Sequence, residues 1–317
     1  MKWFIEAPSN IALIKYMGRK DNTDKIPANA SLSYTLPALK SFVELELSSE
    51  NASRWEFLEH PEALPLILSS QGQQRFLAHL EYLKNYFGCQ KHFIVRSSNN
   101  FPQAAGLASS ASSFAALTQC ASKALSSVTH QKEPDWNTLA GLSRRSSGSS
   151  CRSFYAPWAY WHEETVEPVN LPYTQLLHQI IIIQQQEKPV LSSQAHQAVK
   201  TSSLYIGRPE RAEIRLSALI QALKNQQWDK AFQITWDEFQ DMHQLFKTAE
   251  PSFEYMTTAS KNILEHLKAF WDAHDDGPLI TMDAGPNIHL LYRPEQDEMM
   301  QYIKIDCLKN YHDITIQ

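Results

Sequence analysis

The sequence predicts an α+β protein of two domains. Strand-like and helix-like segments come in mixed order, without the regular strand–helix–strand alternation that builds a parallel sheet. Near residue 180 the texture changes from short, strand-rich segments to long charged helices. The chain's 317 residues, 43% hydrophobic and 20% charged, exceed one small core and suit two domains of ordinary size. The expected domains are 1–180 and 181–317.

Phe4–Met17 and Ser31–Leu36 read as strands joined by the polar loop Gly18–Asn29. Phe42–Leu47 alternates apolar and acidic residues, the pattern of a strand with one face in water. Gln71–Tyr86 has apolar residues at helical spacing and is closed by Gly88, which suits a helix C-terminus. A strand at 92–96, a small-residue loop and a long helix to about Ser126 follow, then a helix over Trp136–Arg144. The run Phe154–Trp158 is expected to be buried. Leu176–Ile183, short and rich in β-branched residues, reads as a buried strand. Helices are expected over Glu210–Lys224, Asp229–Thr248 and Ser260–His274. Strands near Leu279–Met282 and Ile288–Tyr292, a helix near Glu295–Ile303 and a last strand complete the chain.

A net charge of −5 argues against nucleic-acid binding, which needs clustered Lys and Arg. It leaves room for a phosphorylated small molecule, for which one local basic cluster suffices. None of the four cysteines has metal or redox spacing, and the twelve histidines are scattered, so no protein-bound zinc is expected. Glu6 interrupts the only apolar start, and the longest aliphatic run, Ile180–Ile183, is too short to span a membrane. A cytoplasmic protein with no membrane partner is expected.

Four segments carry chemistry. Asn99–Ser113, NNFPQAAGLASSASS, places a proline, a glycine and small hydroxyl residues between a strand and a helix. Free backbone N–H groups at a helix start, with the positive end of the helix dipole behind them, make a cradle for phosphate. Gly106 lets the backbone approach a ligand, and Ser109 and Ser110 can add hydroxyl donors or hold a Mg²⁺ ion. The plain alternative is a serine cap on an alanine-rich helix. Arg144–Ser153, RRSSGSSCRS, offers hydroxyls around Gly148 with three arginines whose forks match a carboxylate or phosphate; its alternative is a serine-rich surface turn. Met282–Asn287, MDAGPN, sets Asp283 between apolar strands, on rigid elements that suit a catalytic carboxylate, although an Asp before Gly-Pro is more often a turn-former. Asn10–Asp21, NIALIKYMGRKD, puts Lys15 inside an apolar strand, where a cation needs a partner. Four of the nine glycines, Gly18, Gly106, Gly148 and Gly285, fall in these segments.

With these residues in place, the sequence resembles the GHMP kinase superfamily, and within it the diphosphomevalonate decarboxylase family. FPQAAGLASSAS is similar to the phosphate-binding loop in that family's form, FPTAAGLASSA. APSNIALIKYMGRKD, IPANASLSYTL, RRSSGSSCRS and TMDAGPN resemble APxNIAxIKYWGKRD, LPxNSSLSxTL, RxGSGSACRS and TxDAGPN, in the same order. The matches span residues 7 to 287.

The resemblance implies a GHMP kinase-like fold, with an N-terminal part like the second domain of ribosomal protein S5 and a ferredoxin-like C-terminal part. It implies ATP and Mg²⁺ as cofactors, a phosphorylated small-molecule substrate and a homodimer. The implied reaction is phosphorylation of the tertiary 3-hydroxyl of mevalonate 5-diphosphate, then loss of that phosphate and of CO₂ to give isopentenyl diphosphate. Asp283 matches the catalytic carboxylate, Arg152 the arginine that holds the substrate carboxylate, and Lys15 the lysine that keeps Asp283 ionised. Asn10, Ser147, Gly148 and Ser149 are implied on the substrate side, with Tyr16, Arg19 and Lys20 at its diphosphate. Lys188 and Ser192 correspond, more loosely, to the Lys and Ser of K-x-V-S-S. Asn99, Pro102, Ala105, Gly106, Leu107, Ala108, Ser109 and Ser110 are implied around the ATP phosphates.

Several positions depart from the family pattern. Met17 stands for tryptophan, Arg19-Lys20 inverts Lys-Arg, and Ser146 and Ser150 replace Gly and Ala. Ala156-Pro157 replaces two glycines, and no Gly-Met follows Ser192-Ser193. These changes touch the substrate side more than the ATP side. A monophosphate substrate, a mevalonate 3-kinase that stops at phosphorylation, and a non-catalytic metabolite sensor are the alternatives left open.

Overall fold

The computed structural model describes residues 1–65, 68–102, 109–183 and 190–306, with 312–316 and Asp306 described by backbone alone. Its first sheet has six strands: β1 (Lys2–Ile14), β2 (Ser31–Ser48), β3 (Arg54–Phe57), β4 (His92–Asn99), β5 (Trp158–His162) and β6 (Thr165–Pro168). β2 is the spine. It pairs antiparallel with β1 along one edge, and with β4 and β5 along the other.

The two strands expected at 31–36 and 42–47 are thus one. Pro8 pairs with Lys40 and Ser9 with Leu36, so residues 37–39 bulge from the β1 ladder. Pro37, which has no N–H to donate, lies in that bulge and so interrupts nothing. β3, β5 and β6 were not expected. β5 arises from the aromatic run: Trp158 and Trp161 are fully buried, but Ala156 is exposed and Pro157 half-buried, so the expected burial holds for only part of it.

α1 (Ser70–Tyr86), α2 (Ser109–Thr129) and α3 (Trp136–Arg144) cover one face of this sheet. Ser69 caps α1 by accepting the Gly72 N–H, and Gly88, at φ 64°, follows its last turn, the left-handed position at which glycine costs least. The alanine-rich α2 packs Ala111, Ala115, Ala116, Ala121 and Ala124, all fully buried, against the sheet; these small side chains let the helix sit close.

The second sheet runs β10 (His312–Ile316), β7 (Leu177–Ile182), β9 (Ile288–Tyr292), β8 (Leu279–Met282), all antiparallel neighbours. α4 (Ser192–Ala198), α5 (Arg208–Lys224), α6 (Trp228–Lys247), α7 (Thr258–His274) and α8 (Asp297–Asp306) complete this half. One apolar core joins the ends of β1 and β2 (Ile11, Leu13, Leu32) to β7–β9 and the long helices, so the halves are welded face to face. No helix among the described residues is long and apolar enough to cross a membrane.

Candidate active site

The site lies where the end of β1 meets the β8–β9 turn. Met282 pairs with Ile288, so the register makes Asp283–Asn287 a tight connection between two fully buried strands. The Gly285 N–H donates to the Asp283 carbonyl, 2.8 Å, Ser260 Oγ donates to the Pro286 carbonyl, 2.9 Å, and Asn287 Oδ1 accepts the Ile183 N–H, 2.8 Å. Every end of the turn is tied down.

Across from it, Lys15, the residue that follows β1, donates from Nζ to Asp283 Oδ1 at 2.7 Å. Lys15 is 3% exposed and Asp283 29% exposed. Burial works to raise the Asp283 pKa, but Lys15, His289 and Arg152 outweigh it and hold the carboxyl below its usual value. Burial lowers the Lys15 pKa against the pull of Asp283.

A buried charge network fixes the Lys15 backbone. Glu238 of α6 accepts the Lys15 N–H, 3.0 Å, and both Glu238 and Arg208 are fully buried. Arg208 Nη2 donates to the Lys15 carbonyl, 3.1 Å, and to Glu238 Oε1, while Asn29 Nδ2 donates to the same carbonyl at 3.0 Å. Arg211 and Arg215 then pair with Asp241. His243, also on α6, donates from Nε2 to the Asp283 carbonyl, 3.1 Å; burial pushes its pKa to about 3, so it is a neutral donor.

The serine-rich segment is a 3-10 helix, Gly148–Phe154, that aims Arg152 inward. Arg152 is 4% exposed; Nε donates to Asn10 Oδ1 and Nη1 to Ser31 Oγ, both at 3.1 Å. Asn10 is itself held, donating to the Ser149 carbonyl at 3.2 Å and to Ser153 Oγ at 2.8 Å. The guanidinium lies 5.8 Å from the centres of the Tyr16 and Trp161 rings, within cation–π range. Tyr16 packs edge-on against Trp161, 4.6 Å, and stacks on His196, 4.4 Å. Gly148 is required here, because a Cβ on it would lie 2.1 Å from the Tyr16 hydroxyl.

Ser110, in the first turn of α2, has its Oγ 3.2 Å from Ser147 Oγ. The start of α2 therefore faces the arginine-bearing segment. Its first turn has no acidic residue, so nothing there opposes an anion. Among the described residues no group of three His, Cys, Asp or Glu could hold a metal by itself. A divalent ion would therefore rest on phosphate oxygens and on hydroxyls such as those of Ser109 and Ser110.

Other expected residues are placed differently. Lys20 is half-exposed and paired with Glu163 at 3.1 Å. Asn99 is 3% exposed, and its Oδ1 accepts from Ser41 Oγ at 2.7 Å and Ser113 Oγ at 3.4 Å, which anchors the first turns of α2. Ser192 is exposed at the first turn of α4. Pro102 is half-buried at the edge of the described residues, and Ala105, Gly106, Leu107, Ala108 and Lys188 lie outside them. Glu238, Arg208, His243 and His196 were not expected. Acidic Glu238 and Asp241 one helical turn apart, opposite Arg208, Arg211 and Arg215 at helical spacing, are the sequence signal that was available.

A long helix that opens on hydroxyls beside the arginine-bearing segment, with an ion-paired carboxylate presented by a second sheet, defines the class: small-molecule kinases of the GHMP type and their relatives. The chain belongs to the diphosphomevalonate decarboxylase family. Residues 7–168 match the diphosphomevalonate decarboxylase-like N-terminal domain and residues 179–314 the mevalonate 5-diphosphate decarboxylase C-terminal domain. The human diphosphomevalonate decarboxylase is 30% identical over 307 residues, covering 89% of this chain and 74% of that one. The crystal structure of a mevalonate diphosphate decarboxylase from Legionella pneumophila superposes with a TM-score of 0.93 at 52% identity, covering 99% of this chain and all of that one. MDDEF in complex with MVAPP, AMPPCP and magnesium superposes with a TM-score of 0.85 at 27% identity, covering 99% of this chain and 96% of that one.

Proposed function

We propose that this enzyme converts mevalonate 5-diphosphate to isopentenyl diphosphate, using ATP to phosphorylate the 3-hydroxyl. The observation that carries the reading is the Lys15–Asp283 pair, 2.7 Å, beside an Arg152 whose fork is preset by Asn10 and Ser31. Membership of the family and the MVAPP, AMPPCP and magnesium bound by MDDEF support it.

Asp283 orients the tertiary hydroxyl and accepts its proton as the oxygen attacks the γ-phosphorus. Lys15 keeps that carboxylate ionised until the proton arrives. Mg²⁺, when bound with ATP, offsets negative charge on the transferred phosphoryl group. The 3-phosphate then leaves with the C–O bonding pair. The C1–C2 pair becomes the new double bond as CO₂ departs. Arg152 holds the C1 carboxylate so that the breaking bond is aligned with the cationic centre. Tyr16 and Arg19 face the diphosphate end, Ser147 and Ser149 the substrate oxygens, and Ser109 and Ser110 the nucleotide.

The division at about 180 is supported by the two sheets, with the boundary best placed ahead of Leu177, since β7 belongs to the second. A cytoplasmic homodimer is the expected state, and sedimentation analysis checks the dimer.

The test supplies ATP with mevalonate 5-diphosphate, the 5-monophosphate or mevalonate, and measures ADP and CO₂ separately. The expected result is equal ADP and CO₂ from the diphosphate. ADP without CO₂ would make the protein a kinase, and neither product from any substrate would make it a sensor.

A further inference from the structure

The loop after β1 holds a cation with no role in the steps above. Lys25 is half-buried, adopts φ 53° in the left-handed region, and makes no ion pair among the described residues. Both features are unfavourable for a lysine unless something compensates. The charged groups that act on it are Arg19 from its own loop and Arg75 from α1, which with burial bring its pKa down to about 7. Its charge reaches His79 on α1 and His196 on α4 in turn, and both histidines are held neutral by burial. Asp24, its neighbour in sequence, is engaged with Arg145.

Arg19 beside it is 8% exposed, and its Nε has no hydrogen-bond partner among the described residues. His196 accepts the Gly18 N–H at Nδ1, 3.1 Å, so the ring carries its proton on Nε2 and adds an uncharged donor next to Tyr16. A buried guanidinium and a half-buried amine, neither with a counter-charge among the described residues, fit an anion richer in charge than one phosphate.

We propose that Lys25 completes, with Arg19, the subsite for the outer phosphate of the substrate, and so sets a preference for a diphosphate over a monophosphate. The proposal rests on the function given above. Its consequence is that binding the diphosphate should protonate Lys25. At pH 8 a group with a pKa of about 7 is roughly nine-tenths neutral. Of the other groups facing it, Arg75 stays cationic, and His79 and His196 stay neutral. The substrate's outer phosphate is already ionised, since its last pKa lies near 6.

Calorimetric titration of the whole enzyme at pH 8, in two buffers of different ionisation enthalpy, counts the proton directly. Mevalonate 5-diphosphate should bring uptake of roughly 0.9 proton. Lys25→Asn, whose new residue tolerates the left-handed backbone, should abolish the uptake and weaken diphosphate binding roughly 10- to 100-fold. Its monophosphate and ATP affinities should stay near wild type. Lys25→Arg should restore affinity without uptake, because arginine does not release its proton. A Lys25→Asn protein with wild-type diphosphate affinity and proton uptake would overturn the proposal and leave the proposed function standing. A wild-type enzyme that binds ATP but no mevalonate 5-diphosphate would overturn both.

Discussion

Glu238→Gln is the most demanding perturbation of the buried network behind Lys15. In the native protein Glu238 accepts the Lys15 N–H at 3.0 Å, two N–H groups of Arg208, and Arg215 Nη1 at 3.1 Å. Glutamine keeps an acceptor for Lys15 but turns an amide NH₂ toward a guanidinium that is fully buried. Breaking a buried pair on one side costs about 3–5 kcal/mol. Asp241 still accepts from Arg208, at 3.2 Å, as does the Lys15 carbonyl, at 3.1 Å, so the lower end is expected. A loss of about 3 kcal/mol is a large part of a stability of about 5–15 kcal/mol. Urea unfolding gives this difference, and turnover at saturating substrate reports the looser Lys15. Arg208→Met combined with Glu238→Gln should cost less than the sum of the two changes, since the unpaired charge has gone. If Glu238→Gln unfolds at wild-type urea concentration and turns over normally, the network does not position Lys15.

Arg152→Lys keeps the charge but loses the fork held by Asn10 and Ser31. The expected outcome is a lower ratio of CO₂ to ADP, and a strictly parallel fall would assign Arg152 to general substrate binding. Gly148→Ala puts a Cβ 2.1 Å from the Tyr16 hydroxyl, and Trp161 and His196 block the ring's retreat. KM for the diphosphate should rise by roughly tenfold with ATP binding intact, and an unchanged KM would show that the ring moves freely. His79 and His243 each have a folded pKa of about 3 against 6.5 unfolded. The unfolded chain binds the extra protons, so stability is present above pH 6.5 and is lost as pH falls toward 3. Between pH 7.5 and 5 each should cost about 2 kcal/mol. Urea midpoints at the two pH values check this, and His79→Asn should flatten the dependence.

Much of this site was legible in the sequence because its parts are local. Lys15, Arg152 and Asp283 each sit in a segment whose composition is unusual for its surroundings, and the structure joins Lys15 to Asp283 across 268 residues. The long helices were legible from their period; α3 lies at the expected Trp136–Arg144, and the structure shows Asp135 capping it. What stayed hidden depends on partners remote in sequence. β3 and β6 are four-residue strands that exist only because β4 and β5 offer them an edge. Lys20 and Arg19 look equivalent in sequence, but Lys20 turns out to Glu163 while Arg19 is buried. Glu238 and His243 are two polar residues of an amphipathic helix, and only packing against β1 and the β8–β9 turn makes them positioning residues.

The central claim is that Asp283 is the base for 3-phosphorylation, the step on which CO₂ release depends. The most direct measurement is a single turnover of Asp283→Asn with ATP and mevalonate 5-diphosphate, quenched and assayed for ADP and CO₂, with both ligand affinities determined on the same protein. The account predicts a folded enzyme that binds both ligands and makes both products roughly 10²–10⁴-fold more slowly, the usual loss for a positioned base. CO₂ released at near the wild-type rate by that folded, liganded variant would contradict it.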